Sequence, residues 1–256
     1  MKIDLNCDLG ESFGQYRLGD DAAMLEIVTS ANIACGLHAG DPLVMRETIT
    51  LAARHGVAIG AHPGYPDLQG FGRRAMDLQP AELEAFLIYQ LGALAGFAQA
   101  AGVHLTHVKP HGALYNQAVA DREIAAAIAR AVASFDPTLI VVTLPEAALR
   151  IAARGNGLRV ALEGFADRAY LADGTLAPRH RPGAVIHDPE LATARAVRMI
   201  TQGEVETLEG AVIPLRVNTL CVHGDTPGAA TLAAQLRHAL EAAQIVLAPL
   251  NEVLEG

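Results

Sequence analysis

The chain has 256 residues, 51% of them hydrophobic and 18% charged, with a formal net charge of −9 and no tryptophan. That length and apolar content support a large core in the size range of one α/β barrel. The acid excess argues against nucleic acid and anionic membrane surfaces as partners, and no run of about 18 apolar residues is free of charges or breakers, which argues against a spanning helix. An acid at position 4 precedes any apolar run, so no signal peptide is expected. Three cysteines at distant positions read as reduced thiols of a cytoplasmic protein.

Residues 2–5 read as a short strand that runs into an acid- and glycine-rich loop, 6–14. Asp20 or Asp21 caps a helix to about residue 28, and 30–34 is a second strand. Asp41-Pro42 starts a helix that ends at Gly56, an acid at the cap with proline in the first turn and glycine past the end. Residues 57–61 form a third strand leading into a loop with His62 and Arg73, and a long helix follows from Pro80 to Gly102. The fourth strand, 105–108, enters the stretch His107-Val108-Lys109-Pro110-His111-Gly112-Ala113-Leu114-Tyr115-Asn116. Pro110 stops any ladder there, so this stretch is expected as a loop at a strand end. Lys2 is the only other lysine, which marks Lys109 as a chosen point charge in a chain that otherwise uses arginine.

A helix is expected over 121–134, a fully buried strand over 138–143, a helix over 145–154 and a strand over 158–162. Residues 171–187 are irregular and rich in Arg, Pro and Gly. Asp188-Pro189 opens a helix to about residue 200, then 217–222 is the seventh strand and 228–243 the last helix, with a short closing segment at 245–247. Strand and helix alternate about seven times in one domain, 1–256, which implies a parallel sheet. Polar clusters follow six of the seven strands. A closed barrel gathers such loops at one face, whereas an open sheet divides them, so a TIM-like (βα) barrel of seven strands is expected.

Asn6, Asp8 and Glu11 suit a divalent ion or a polarised water, although turn and cap chemistry uses the same residue types. His38, His62, His111 and His223 each follow a different strand, an arrangement that serves proton transfer or metal binding. Their spacing names no metal: there is neither His-Glu-x-x-His nor a Cys-x-x-Cys pair, and a mixed Asp8 and histidine site fits zinc or manganese. Cys7, Cys35 and Cys221 read as small buried residues before nucleophiles. Arg73, Arg168, Arg179 and Arg181 suit a substrate carboxylate or are solvated and salt-bridged. The phosphate-loop and serine-elbow motifs are absent.

The strings DLNCDLGESFG at 4–14, SANIACGLHAGDP at 30–42, IGAHPGYPDLQGFGRR at 59–74 and HVKPHGALYN at 107–116 resemble the LamB/YcsF family, as do FADRAYLADG at 165–174, RPGA at 181–184 and CVHGDTP at 221–227. Leu37 stands where a phenylalanine is expected and Gly164 where a larger residue is. The resemblance implies a seven-stranded barrel related to the glycoside hydrolase/deacetylase group. It also implies cleavage of the lactam 5-oxo-L-proline to L-glutamate with ATP hydrolysis, a divalent cation such as magnesium accompanying the ATP, and two other 5-oxoprolinase subunits as partners, similar to biotin-dependent carboxylases and amidolyases. From position and chemistry, Asp8 and His111 are candidates to activate water, and Lys109 to steady negative charge on the lactam oxygen or phosphate. His38, His62 and His223 would handle protons or a metal, and Asn6, Glu11, Arg73, Asn116 and Asp225 would position substrate. A metal-dependent deacetylase of a sugar or small amide and a non-catalytic binding scaffold are the alternatives.

Overall fold

The computed structural model describes residues 1–222 and 228–255. In chain order the elements are β1 (Lys2–Leu9), α1 (Asp21–Leu25), β2 (Ser30–Ala34), α2 (Pro42–His55), β3 (Ala58–His62), α3 (Pro80–Ala100), β4 (Leu105–Val108), α4 (Gly112–Ala120) and α5 (Arg122–Phe135). There follow β5 (Ile140–Thr143), α6 (Ala148–Gly155), β6 (Arg159–Phe165), α7 (Pro189–Gln202), β7 (Glu204–Glu206), β8 (Val212–Pro214), β9 (Thr219–Val222), α8 (Ala229–Ala242), β10 (Val246–Leu247) and α9 (Leu250–Leu254). Strands β1 to β6 and β9 lie side by side, all parallel, and β9 pairs with both β6 and β1. The sheet is therefore a closed barrel of seven strands. β10 adds only a two-residue pairing to the start of β1, Lys2 with Val246 and Ile3 with Leu247.

The helix signals act as the sequence indicates. Asp41 accepts from the backbone N–H of Leu43 and Val44 at 2.8 and 3.1 Å, and α2 ends at Gly56 in the left-handed region. Asp188 and Gly203 frame α7 in the same way. Helix α3 is long and apolar enough to cross a membrane by composition, but it turns Leu83, Leu87, Leu91 and Leu94 into the core. At the end where β1 starts, α9 sets Leu250 against Ile140, Val142 and Ala161, plugging the barrel with an apolar layer.

Several expectations change. First, β1 continues to Leu9 instead of stopping at residue 5. Along it Ile3, Leu5, Cys7 and Leu9 join the core shared with the helices, while Asp4, Asn6 and Asp8 alternate into the barrel and bond across it. Second, the stretch after Pro110 is a loop of only a few residues: α4 begins at Gly112, so Tyr115 and Asn116 are helical. Pro110 ends the strand, but Ala113, Leu114 and Ala118 supply an apolar stripe that packs inward. Third, residues 204–214 form an antiparallel hairpin, β7 with β8. Fourth, α6 starts at Ala148, three residues later than expected, and the short α9 was not anticipated.

Asp4 lies at the bottom of the polar column, fully buried, and accepts from the hydroxyls of Thr29, Ser30 and Thr219 at 2.7, 2.6 and 2.5 Å. Burial pushes its carboxyl up to about 6 against the opposing pull of those three hydroxyls. A carboxyl raised on folding holds its proton more tightly in the native state, so its contribution is fullest at acid pH and is lost as pH rises through its folded value. Denaturant unfolding at about pH 4 and 7 is expected to show the wild type losing about 2 kcal/mol relative to Asp4→Asn between the two. A constant difference between the proteins would show that Asp4 does not titrate in this range.

Candidate active site

The upper half of the barrel interior is polar because strands of different chain position turn one hydrogen-bonding residue each into the same layer. Asn6 donates to Thr219 Oγ1 at 2.6 Å and to Glu163 Oε1 at 3.2 Å, and accepts from Asn32 at 2.7 Å. His107 Nε2 meets Asn32 Oδ1 at 2.9 Å. A Cβ at Gly60 of β3 would overlap the His107 imidazole, so glycine there is what lets the ring fill the barrel. Burial, with Lys109 nearby, pushes His107 down to about 3, so it is a neutral spacer.

Lys109 sits on top of this layer, 3% exposed. Its backbone N–H donates to Ala61 O at 2.9 Å, continuing the β3–β4 ladder by one residue and fixing the direction of the side chain. The ammonium reaches Glu163 Oε1 at 2.8 Å, Asp8 Oδ1 at 2.9 Å, Cys221 Sγ at 3.1 Å and Asn6 Oδ1 at 3.2 Å. Burial disfavours its charge, but the two carboxylates outweigh this and hold the lysine well above its ordinary range. Glu163 is fully buried and also accepts from the Tyr115 hydroxyl at 2.7 Å. For Asp8, burial is again opposed, by His62 and Lys109, and the carboxyl lies well below the usual carboxylate range. One cation thus stands between two carboxylates, a locally anionic arrangement that keeps Lys109 charged.

Three imidazoles lie beside Asp8. His62 Nδ1 is 2.7 Å from the carbonyl of Lys109, and His111 Nε2 is 2.8 Å from the carbonyl of Phe71. Phe71 holds that carbonyl in place with φ of 54°, a left-handed backbone that a bulky residue rarely adopts. The inner nitrogens, His62 Nε2 and His111 Nδ1, face each other at 2.9 Å, and Asp8 Oδ2 is 3.4 Å from His62 Nε2. His38 stacks on His111 with centroids 3.8 Å apart. Glu11 Oε1 lies 3.7 Å from His38 Nε2 and 3.6 Å from His111 Nδ1. Burial drives His38 well below the ordinary histidine range and His111 down to about 3.

Above these groups opens a cavity of about 230 Å³, lined among others by Asp8, His62, Lys109, His111 and Asn116, and by Arg73, Arg168 and Arg179. Seven of the residues singled out in the sequence, Asn6, Asp8, Glu11, His38, His62, Lys109 and His111, therefore meet in one cluster. Asn6, Glu11 and His38 lie behind the cavity wall, and Asn6 has both ends of its amide engaged. Arg73 and Asn116 stand at the rim, Arg73 lying 5.0 Å over the Phe71 ring. Arg181 does not join them; it pairs with Glu209 at the surface at 3.2 Å. His223 and Asp225 lie outside the described residues. The three cysteines are buried and unpaired, and burial raises the thiol pKa of each, so they fill space as neutral thiols.

From the sequence no site role is expected of Glu163, Asn32, His107 or Tyr115, although the last two stand in the stretch 107–116 singled out there. The alternation Asp4, Asn6, Asp8 was the available signal for an inward polar face. The Gly164 departure has a local cause: a Cβ there would come 2.8 Å from Val217 Cγ1, so Val217 occupies the space a larger residue would use.

Residues 3–255 match the model of the LamB/YcsF family. The chain belongs to that family. A LamB/YcsF relative from Syntrophobacter fumaroxidans, named as the A subunit of 5-oxoprolinase, is 56% identical over 241 residues, 94% of this chain and 95% of its own. The crystal structure of a lactam utilization protein from Thermus thermophilus superposes with a TM-score of 0.94 at 52% identity, covering 97% of this chain and 99% of that one. A T48 deacetylase shares the fold at a TM-score of 0.52 and 14% identity, covering 99% and 92%. The LamB/YcsF barrel is thus built on the same plan as a deacetylase barrel, as its sequence resemblance implied.

Proposed function

We propose that this chain is the A subunit of an ATP-dependent 5-oxoprolinase, opening the lactam of 5-oxo-L-proline to L-glutamate together with two other subunits in the cytoplasm, with magnesium accompanying the ATP. The observation that carries this reading is the near-complete match to relatives named as the A subunit of 5-oxoprolinase. The chemistry of the cavity agrees with it. The substrate is a small, planar amide with one carboxylate. The arginines that line the cavity, Arg73, Arg168 and Arg179, suit that carboxylate, and the Lys109 ammonium suits the lactam oxygen as it gains negative charge.

A five-membered lactam is a poor electrophile. Transfer of the ATP γ-phosphoryl group to its carbonyl oxygen activates the carbon. Water then adds, the ring C–N bond breaks as the nitrogen takes a proton, and the resulting acyl phosphate is hydrolysed by a second water to glutamate and phosphate. In this chain Asp8 is the ionised carboxylate that faces the cavity and draws the proton from the attacking water, and His111, a neutral imidazole whose Nε2 is held by the Phe71 carbonyl, lines the cavity beside it.

The test is glutamate release from 5-oxo-L-proline with ATP and magnesium, with and without the two partner subunits. Release that requires all three is expected. No release from the assembled complex, with release of acetate from acetylated amides instead, would replace this reading by the deacetylase one. Substrate binding with full turnover after Asp8 and Lys109 are replaced would reduce the chain to a scaffold.

A further inference from the structure

The histidine cluster poses a proton problem. A carbonyl oxygen only accepts, so His62 Nδ1 beside Lys109 O and His111 Nε2 beside Phe71 O both carry their protons. With those protons directed outward, the inner nitrogens, His62 Nε2 and His111 Nδ1, face each other at 2.9 Å. A positive centre between them, a shared proton or a metal cation, satisfies both lone pairs. Glu11 adds a carboxylate oxygen from a third strand's loop. His38, 0% exposed, has neither ring nitrogen hydrogen-bonded among the described residues, and two buried nitrogens on one ring in that state call for a partner such as an ion or a water.

We propose that Glu11, His38, His62 and His111 form a binding site for a divalent transition-class cation of the zinc or cobalt type, separate from the magnesium that accompanies ATP. The four donor atoms all lie within 4.8 Å of one another. The adjacent pairs at 2.9, 3.6 and 3.7 Å bracket the edge of a zinc tetrahedron, about 3.3 Å for bonds of about 2.0–2.1 Å. The outer N–H groups of His62 and His111 each donate to a backbone carbonyl, the arrangement that fixes the tautomer and direction of a metal-bound imidazole. Three nitrogens and one oxygen select zinc, cobalt or nickel over magnesium, which requires an octahedron of oxygens. His38 and His111 are parallel to within 4°, so the His38 ring tilts out of the stack for both to bind in plane. Asp8 Oδ2, 3.4 Å from His62 Nε2, places the cation next to the cavity. This assignment does not rest on the lactam reading, because its readout is metal itself.

The chain, purified without a histidine tag, is assayed for metal by mass spectrometry, stripped with chelator and titrated with cobalt(II). One equivalent is expected to bind, with visible d–d absorption, and to raise the melting temperature. Glu11→Gln and His111→Ala, shown folded by circular dichroism, are expected to weaken cobalt binding at least about tenfold, whereas His55→Gln on an exposed helix end leaves it unchanged. A wild-type chain that retains no metal and gives no cobalt spectrum overturns the site whatever the variants do. So does equal affinity in Glu11→Gln and His111→Ala.

Discussion

Lys109→Met is expected to lower turnover of 5-oxo-L-proline by the assembled complex at least about a hundredfold and to destabilise the chain by about 3–5 kcal/mol. Both effects have one cause. The ammonium contacts Asp8 and Glu163 at 2.9 and 2.8 Å in a site where Glu163 is fully buried. Methionine matches the length of the stem but leaves two carboxylates facing each other without a cation. At neutral pH one of them must take up a proton or remain as an uncompensated buried charge. Lys109→Arg should not restore activity, because the planar fork cannot reach the four acceptors that surround a compact ammonium. Steady-state turnover and denaturant unfolding of the two variants check this. Turnover within tenfold of the wild type in Lys109→Met would remove the lysine from the chemistry.

Asp8→Asn is expected to separate these effects. An amide keeps the shape and still accepts from Lys109 and Asn32, which approach Oδ1 at 2.9 Å each, and Glu163 still pairs with the lysine, so the loss of stability should be smaller than in Lys109→Met. Catalysis should fall by about a hundredfold to ten-thousandfold, the usual contribution of a positioned general base, with the loss in kcat and KM little altered. A variant with wild-type kcat would show that water is activated elsewhere, and the cavity would then serve only to bind.

The sequence showed the strand-end chemistry more clearly than the chemistry inside the barrel. Lys109, His62, His111 and Asp8 stand in or beside glycine- and proline-rich strings that interrupt apolar runs, and such interruptions are visible in one dimension. The barrel's order also followed from alternation, since Asp41-Pro42 and Asp188-Pro189 mark helix starts by local capping alone. Glu163 was passed over because it sits between apolar residues of a strand whose expected end was residue 162. Only the closure of the sheet brings it to Lys109. Tyr115 was assigned to a loop, whereas its position on α4 aims the hydroxyl at Glu163. The tautomers of His62 and His111 depend on two backbone carbonyls, and no side-chain pattern encodes those.

The pairing of β9 with β1 also bears on how the molecule is made. Asp4 and Thr219 hydrogen-bond across 215 residues of chain, and the same seam joins Asn6 to Cys221. A nascent chain on the ribosome cannot make this contact until residues 219–222 have emerged. Until then β1 and β6 are open edges, and Lys109 lacks its Cys221 neighbour. High contact order of this kind slows folding and concentrates its cooperativity in the last step. Because β1 and β9 are neighbours in the finished barrel, a circular permutant opened between α2 and β3 would make that seam a local contact and move the long-range closure to β2 with β3, and its refolding rate would report whether folding depends on which seam closes the ring.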